Sequence, residues 1–241
     1  MTPAVDVSSG TVWRTCPIRS SPSAGARSWL TQRDLLRGEG ISHPEARTRF
    51  LVARALLRRT IAEARPDLGW KVLDIRTARS GRPTVVDIDP LLDPFLAPNL
   101  DPELEDHLGL YLAVSHTRGL AAVAVSTVGP VGIDVEPLGR DGLPPAEIWL
   151  TPDEQEEHAS LLPSRRRAQL LRLWVAKEAA LKANDAAQAL PRRELSIRRS
   201  GEVDRVPISE DDPEAWVIAE VVWHEIEARF LVALAASVTG R

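Results

Sequence analysis

Two stretches with helical periodicity, 45–64 and 164–184, constrain this chain most, because every other regular run is short, apolar and strand-like. The strand candidates are "WKVLDI", "LYLAVS", "LAAVAVS", "VGIDVE" and a C-terminal pair, "AWVIAEVVW" and "ARFLVALAASV", joined around "HEIE" as a hairpin. A helix with one apolar stripe has to bury it against something, and here only strands are on offer. The first helix places Phe50, Ala53, Leu57 and Ile61 on one face and Arg47, Arg54 and Arg58 towards the other. "LTPDE" opens the helices of the second half, with Thr151 as N-cap, Pro152 at the first helical position and Glu154 closing a capping box. The expectation is an α+β chain of two halves of similar rhythm, 1–130 and 131–241.

With 241 residues, 44% hydrophobic and 27% charged, the chain is long enough to bury two small cores. The single cysteine, Cys16, excludes a disulfide framework and a cysteine zinc site and suits a reducing, cytoplasmic setting. No apolar run reaches membrane-span length, and the first thirty residues lack a signal-peptide core. The net charge of −4 gives no global attraction for nucleic acid. Any anion site has to be local.

"VGIDVEPLGR" is the odd strand. Val131, Ile133 and Val135 point one way, and Gly132, Asp134 and Glu136 the other, so one face carries two anions beside a glycine. In the second long helix, Leu170, Trp174 and Leu181 form the apolar stripe, while Lys177, Glu178 and Lys182 border or interrupt it. A Glu178–Lys182 surface ion pair and a solvated strand end explain these charges as well as a site does. Combined, Asp134, Glu136 and Glu178 offer three hard oxygen ligands suited to Mg²⁺, with lysines beside them for a phosphate-bearing substrate.

"VGIDVE" followed by "WVAKEAALK" resembles the paired signature of the Sfp-type 4′-phosphopantetheinyl transferases, a GID-x-E strand and a W-x-x-KEA-x-x-K helix. "RTRFLVARALLRR", "SGRP" and "AVSHTRGLAAVAV" resemble that family's arginine-bearing helix, its Gly-Lys-Pro turn and its Ser-His segment. The resemblance spans about 45 to 185 and departs from the family pattern at Val175, Ala176 and Arg82. The segment 87–106, rich in Pro and Asp, is longer than the resemblance leads one to expect.

The resemblance implies a pseudo-dimer of two α+β subdomains with the active site between them. It also implies transfer of the 4′-phosphopantetheine arm of coenzyme A to a serine of an apo acyl or peptidyl carrier protein, releasing 3′,5′-ADP. Asp134, Glu136 and Glu178 would ligate Mg²⁺ (or Mn²⁺), Glu178 would also take the serine proton, and Lys182 would hold the pyrophosphate, with Lys177 in a similar part. Arg49, Arg82, Ser115 and His116 would grip the nucleotide phosphates of coenzyme A. Trp174 fits core packing better than ligand contact. The length implies a monomer of the broad-range type that serves polyketide, nonribosomal peptide or fatty acid synthesis. Another Mg²⁺-dependent phosphoryl-transfer or pyrophosphate-cleaving enzyme would want the same carboxylates, but not the Ser-His segment. A noncatalytic carrier-protein adaptor would have no use for a complete ligand set. Arg165, Arg166 and Arg167 are the expected docking surface for an acidic carrier, with Ile148, Trp149 and Leu150 as the apolar alternative.

Overall fold

The computed structural model describes residues 10–71, 73–78, 81–87, 108–183, 190–198, 202–205 and 217–237. The acidic, proline-rich segment 87–106 lies outside them apart from its first residue. The chain is mixed helix and sheet and divides into two compact units, Met1–Gly129 and Pro130–Arg241.

The first unit runs β1 (Thr11–Pro17), α1 (Ala24–Arg27), α2 (Gln32–Glu39), α3 (Pro44–Ala64), β2 (Leu73–Thr77), β3 (Pro83–Asp87), β4 (Tyr111–Thr117) and β5 (Leu120–Ser126). β5 is buried throughout and lies between β1 and β4, antiparallel to both. α3 packs its Val52, Ala53, Leu56, Leu57 and Ile61 onto Leu112, Ala121, Val123 and Val125 of this sheet. The β2–β3 hairpin adds Leu73, Ile75 and Val85 to the same core.

The stripe read from the sequence is therefore present, but α3 also buries Arg54 and Arg58, which the sequence assigned to its polar side. The reason is α2. Its Asp34 closes a capping box with Thr31 and is itself fully buried, and its Oδ2 accepts from Arg58 Nε at 2.6 Å. The rest of the Arg58 guanidinium donates to the Trp70 and Leu73 carbonyls at 2.7 and 3.0 Å. Arg54 donates to the Ile75 carbonyl at 2.9 Å. Burial pushes the Asp34 carboxyl up, but the Arg58 and Thr31 hydrogen bonds overcome it and the net shift is downward.

The second unit runs β6 (Val131–Pro137), α4 (Pro152–Ser160), α5 (Pro163–Ala183), β7 (Leu195–Ile197), β8 (Glu202–Arg205), β9 (Val217–Ile226) and β10 (Phe230–Ser237). Its sheet order is β6-β10-β9-β8-β7, so β6 takes its partner from the far end of the chain. β9 takes in His224, Glu225 and Ile226 of "HEIE", so the β9–β10 hairpin turns later, at residues 227–229, with Glu227 and Ala228 at positive φ.

α5 lies on the face of this sheet that carries Gly132, Ala233 and Ala235. A Cβ at Gly132 would stand 2.0 Å from the Ala179 carbonyl oxygen and 2.6 Å from the Ala183 nitrogen. The glycine therefore admits the helix itself. Ala179, Ala180 and Ala183 complete the small-on-small contact, so that α5 buries a wider surface than the Leu170–Trp174–Leu181 stripe.

Asp34→Asn should lower stability by about 3–5 kcal/mol, because it leaves two buried guanidinium groups without their anion. Urea denaturation checks this, and a loss below about 1 kcal/mol would mean that the network is not a buried ion pair in solution. Since Asp34 titrates below the ordinary carboxylate value, its contribution should be complete above pH ~4 and vanish as pH falls through the lower folded value. Gly132→Ala should destabilise the second unit by about 3 kcal/mol or more, as the clash is with backbone rather than a flexible side chain. The same titration tests it.

Candidate functional site

α5 is fixed by a buried charge. The Thr151 cap forms as the sequence indicates: Thr151 Oγ1 accepts from the Glu154 N–H, and Glu154 Oε2 accepts from the Thr151 N–H. Glu154 also accepts from Lys177 Nζ at 2.5 Å and, through Oε1, from the Ile197 N–H at 3.1 Å. Lys177 is 0% exposed and donates in addition to the Trp149 and Arg192 carbonyls at 3.0 and 3.1 Å. Burial pulls its ammonium below the usual lysine range, and Glu154 opposes that shift.

One residue further round the helix, Glu178 emerges at the half-buried edge and is held by Arg192. One turn on, Lys182 reaches β6, where its Nζ donates to Asp134 Oδ1 at 2.7 Å and to the Ile133 carbonyl at 3.1 Å. Glu136, next but one on that strand face, is held by Arg140. Burial pushes the Glu136 carboxyl up to about 7, and the Asp134 charge and then the Glu178 charge push the same way, against Arg140 and Lys182. Asp134 and Glu178 of the sequence reading thus both act electrostatically on Glu136.

Each of them is matched by a cation of the chain itself, and among the described residues no group of three or more His, Cys, Asp or Glu is arranged to enclose a metal ion. The donor set nonetheless fits a hard divalent cation. Glu136, whose proton affinity is raised by burial and by the Asp134 and Glu178 charges, is relieved by any compact positive charge placed beside it.

The first unit presents the other residues singled out from the sequence. Alternation along β4 buries Ser115 on one face and leaves His116 exposed on the other. His116 lines a cleft of about 240 Å³ with Phe50, Arg54 and Gly81. Arg82 follows Gly81 in a turn closed by the Ala78 N–H donating to the Arg82 carbonyl at 2.8 Å. Arg49 lines a different cleft, of about 370 Å³, with Arg19, Arg118, Ser20 and Thr48. The sequence did not single out Arg19 or Arg118, although Arg118 lies in the "HTRG" turn two residues after His116.

The sequence profile of the 4′-phosphopantetheinyl transferase superfamily matches residues 130–235, which is nearly the whole second unit with its carboxylates and its lysines. The chain is also 26% identical over 170 residues to a protein of Synechocystis sp. that carries a provisional assignment as a 4′-phosphopantetheinyl transferase. That match covers 70% of this chain and 62% of the relative.

Within the superfamily segment, Lys177 is placed away from the role the resemblance implied, because every one of its donors is spent inside the unit. Trp174 joins core and site: it meets Trp149 edge-on at 5.3 Å, and its ring lies under both Arg140 and Arg192. Of the expected docking arginines, Arg166 donates to the Ala159 and Leu161 carbonyls at the end of α4. Arg167 ties α5 to Gly139, Arg140 and Asp141, and Arg165 stays exposed. Trp149 and Leu150 are buried, whereas Ile148 is exposed.

Lys177→Met should cost about 3–5 kcal/mol, since Glu154 is left as a buried unpaired anion, and adding Glu154→Gln should recover part of it. Thermal and urea midpoints check this. Weakened coenzyme A binding at an unchanged midpoint would make Lys177 a ligand contact instead.

Proposed function

We propose that the chain transfers the 4′-phosphopantetheine arm of coenzyme A to a serine of an apo acyl or peptidyl carrier protein, with Mg²⁺ in the site and 3′,5′-ADP as the other product. The observation that carries this reading is the arrangement of Asp134, Glu136, Glu178 and Lys182 on one strand face and one helix edge, inside the segment that matches the superfamily profile.

Asp134, Glu136 and Glu178 would hold the ion, which when bound supplies charge neutralisation for a pyrophosphate. Glu178, on the rigid α5, takes the proton of the carrier serine, directly or through one water. The serine oxygen then bonds to the β-phosphorus of coenzyme A, and the bond from that phosphorus to the bridging oxygen breaks. Lys182 donates to the phosphate oxygens as the leaving 3′,5′-ADP gains charge, a contact for which it gives up Asp134. Arg49, Arg82 and His116 bind the nucleotide phosphates, Arg49 from its own cleft and His116 from the other, where guanidinium groups make paired charge-assisted hydrogen bonds, while Ser115 faces the buried side of β4. Lys177 takes no part in the chemistry and positions α5.

Incubation with coenzyme A, Mg²⁺ and a panel of apo carrier proteins, followed by intact mass measurement, tests the activity and selects among fatty acid, polyketide and nonribosomal peptide carriers. Asp134→Ala and Glu136→Ala should each lower transfer by about a hundredfold or more, with folding retained, for the loss of several kcal/mol of charge stabilisation. Full turnover in both at saturating Mg²⁺ would overturn the ligand assignment. Arg82→Ala and His116→Ala should raise KM for coenzyme A by roughly tenfold and leave kcat nearly unchanged. A collapsed kcat at normal KM would move them into the chemical step.

A further inference from the structure

Two arginines outside the superfamily signature are built into the carboxylate site. Arg140 follows β6 in a turn in which its N–H donates to the Pro137 carbonyl at 2.9 Å and its own carbonyl accepts from Arg167 at 3.0 Å. Arg192 is fastened in the same way, its carbonyl accepting from the buried Lys177 ammonium at 3.1 Å. From these fixed backbones the two side chains converge on a single ring. The guanidinium carbons lie 5.2 Å (Arg140) and 5.1 Å (Arg192) from the Trp174 centroid, and the head groups continue to Glu136 and Glu178 respectively.

A guanidinium over an indole face keeps a favourable partner when its carboxylate is taken away. Both ion pairs are partly exposed, with the Arg140 and Arg192 side chains at 25% and 38%, so they are weak enough for a divalent cation to displace. We propose that Arg140 and Arg192 are internal counter-cations of the metal site: they hold Glu136 and Glu178 until a divalent cation binds, and then release these carboxylates while staying over the Trp174 ring, which sets the metal affinity. This rests on the reading that the three carboxylates ligate Mg²⁺. In that reading Arg140 and Arg192 are positioning residues, acting through the carboxylates rather than on the substrate.

The test is Mg²⁺ binding to the full chain, without coenzyme A or carrier, followed by calorimetry and by tryptophan emission. Arg140→Gln and Arg192→Gln should each tighten Mg²⁺ binding by roughly fivefold, and the double variant more, while Arg192→Lys, which keeps a cation for Glu178, stays near the wild type. Mg²⁺ should also change the emission of the wild type in a way that Trp174→Phe abolishes. Equal or weaker binding by the glutamine variants would overturn the proposal and leave the metal assignment standing. So would the absence of a Trp174-dependent signal at Mg²⁺ concentrations that calorimetry shows to be saturating, a readout that serves even if the glutamine variants fail to fold. Binding by the double variant alone would support it, and binding by none of these proteins would remove both the proposal and the metal reading beneath it.

Discussion

The Lys177 ammonium lies where no water solvates it, and the second unit is arranged around that constraint. A charge so placed needs an anion and acceptors at fixed positions, which Glu154, the Trp149 carbonyl and the Arg192 carbonyl provide. Satisfying it couples α4, α5 and the turn before β7, and it fixes the roll of α5. With the roll fixed, the next residue, Glu178, must come out at the helix edge, and Lys182 one turn on must come down over β6. Gly132 sets the remaining coordinate, the depth at which α5 meets the sheet.

Once α5 is seated, the site's electrostatics follow. Asp134 and Glu136 share a strand face with Gly132, so the surface that lets the helix approach is also the one that carries the anions. The carboxylates around Glu136 are each met by positive charge, and the chain supplies Lys182, Arg140 and Arg192. The first unit solves a parallel problem by opposite means. There the arginines are buried, and Asp34 with the carbonyls around it compensates them, leaving Arg49, Arg19 and Arg118 at a cleft.

Much of this was legible in the sequence. Both long helices, the Thr151 cap, the β4–β5 pair and the C-terminal hairpin all announce themselves through periodicity or turn chemistry, which act over a few residues. β1 escaped notice because its buried face reads Thr11, Trp13 and Thr15, and the threonines hide the alternation that Trp13 begins. Arg54 and Arg58 were read as lying towards the face opposite the apolar stripe because nothing local reveals that Asp34, twenty or more residues earlier, neutralises one and lies beside the other. Lys177 was read as a phosphate contact for a related reason: its partner Glu154 already had a sufficient local explanation as a capping residue.

By itself the sequence determined the α+β character and the helix and strand on which Asp134, Glu136, Glu178 and Lys182 stand, because these depend on residue type and on periods of 2 and 3.6. Only the tertiary structure decided which charges are spent on folding and which remain for a ligand. Lys177 and Lys182 lie five positions apart with the same chemistry, yet one is enclosed with Glu154 and the other reaches Asp134 at the edge of the sheet. That difference comes from the depth and roll at which α5 packs, which no local pattern encodes, since it is fixed by a glycine on one strand and a carboxylate on another helix.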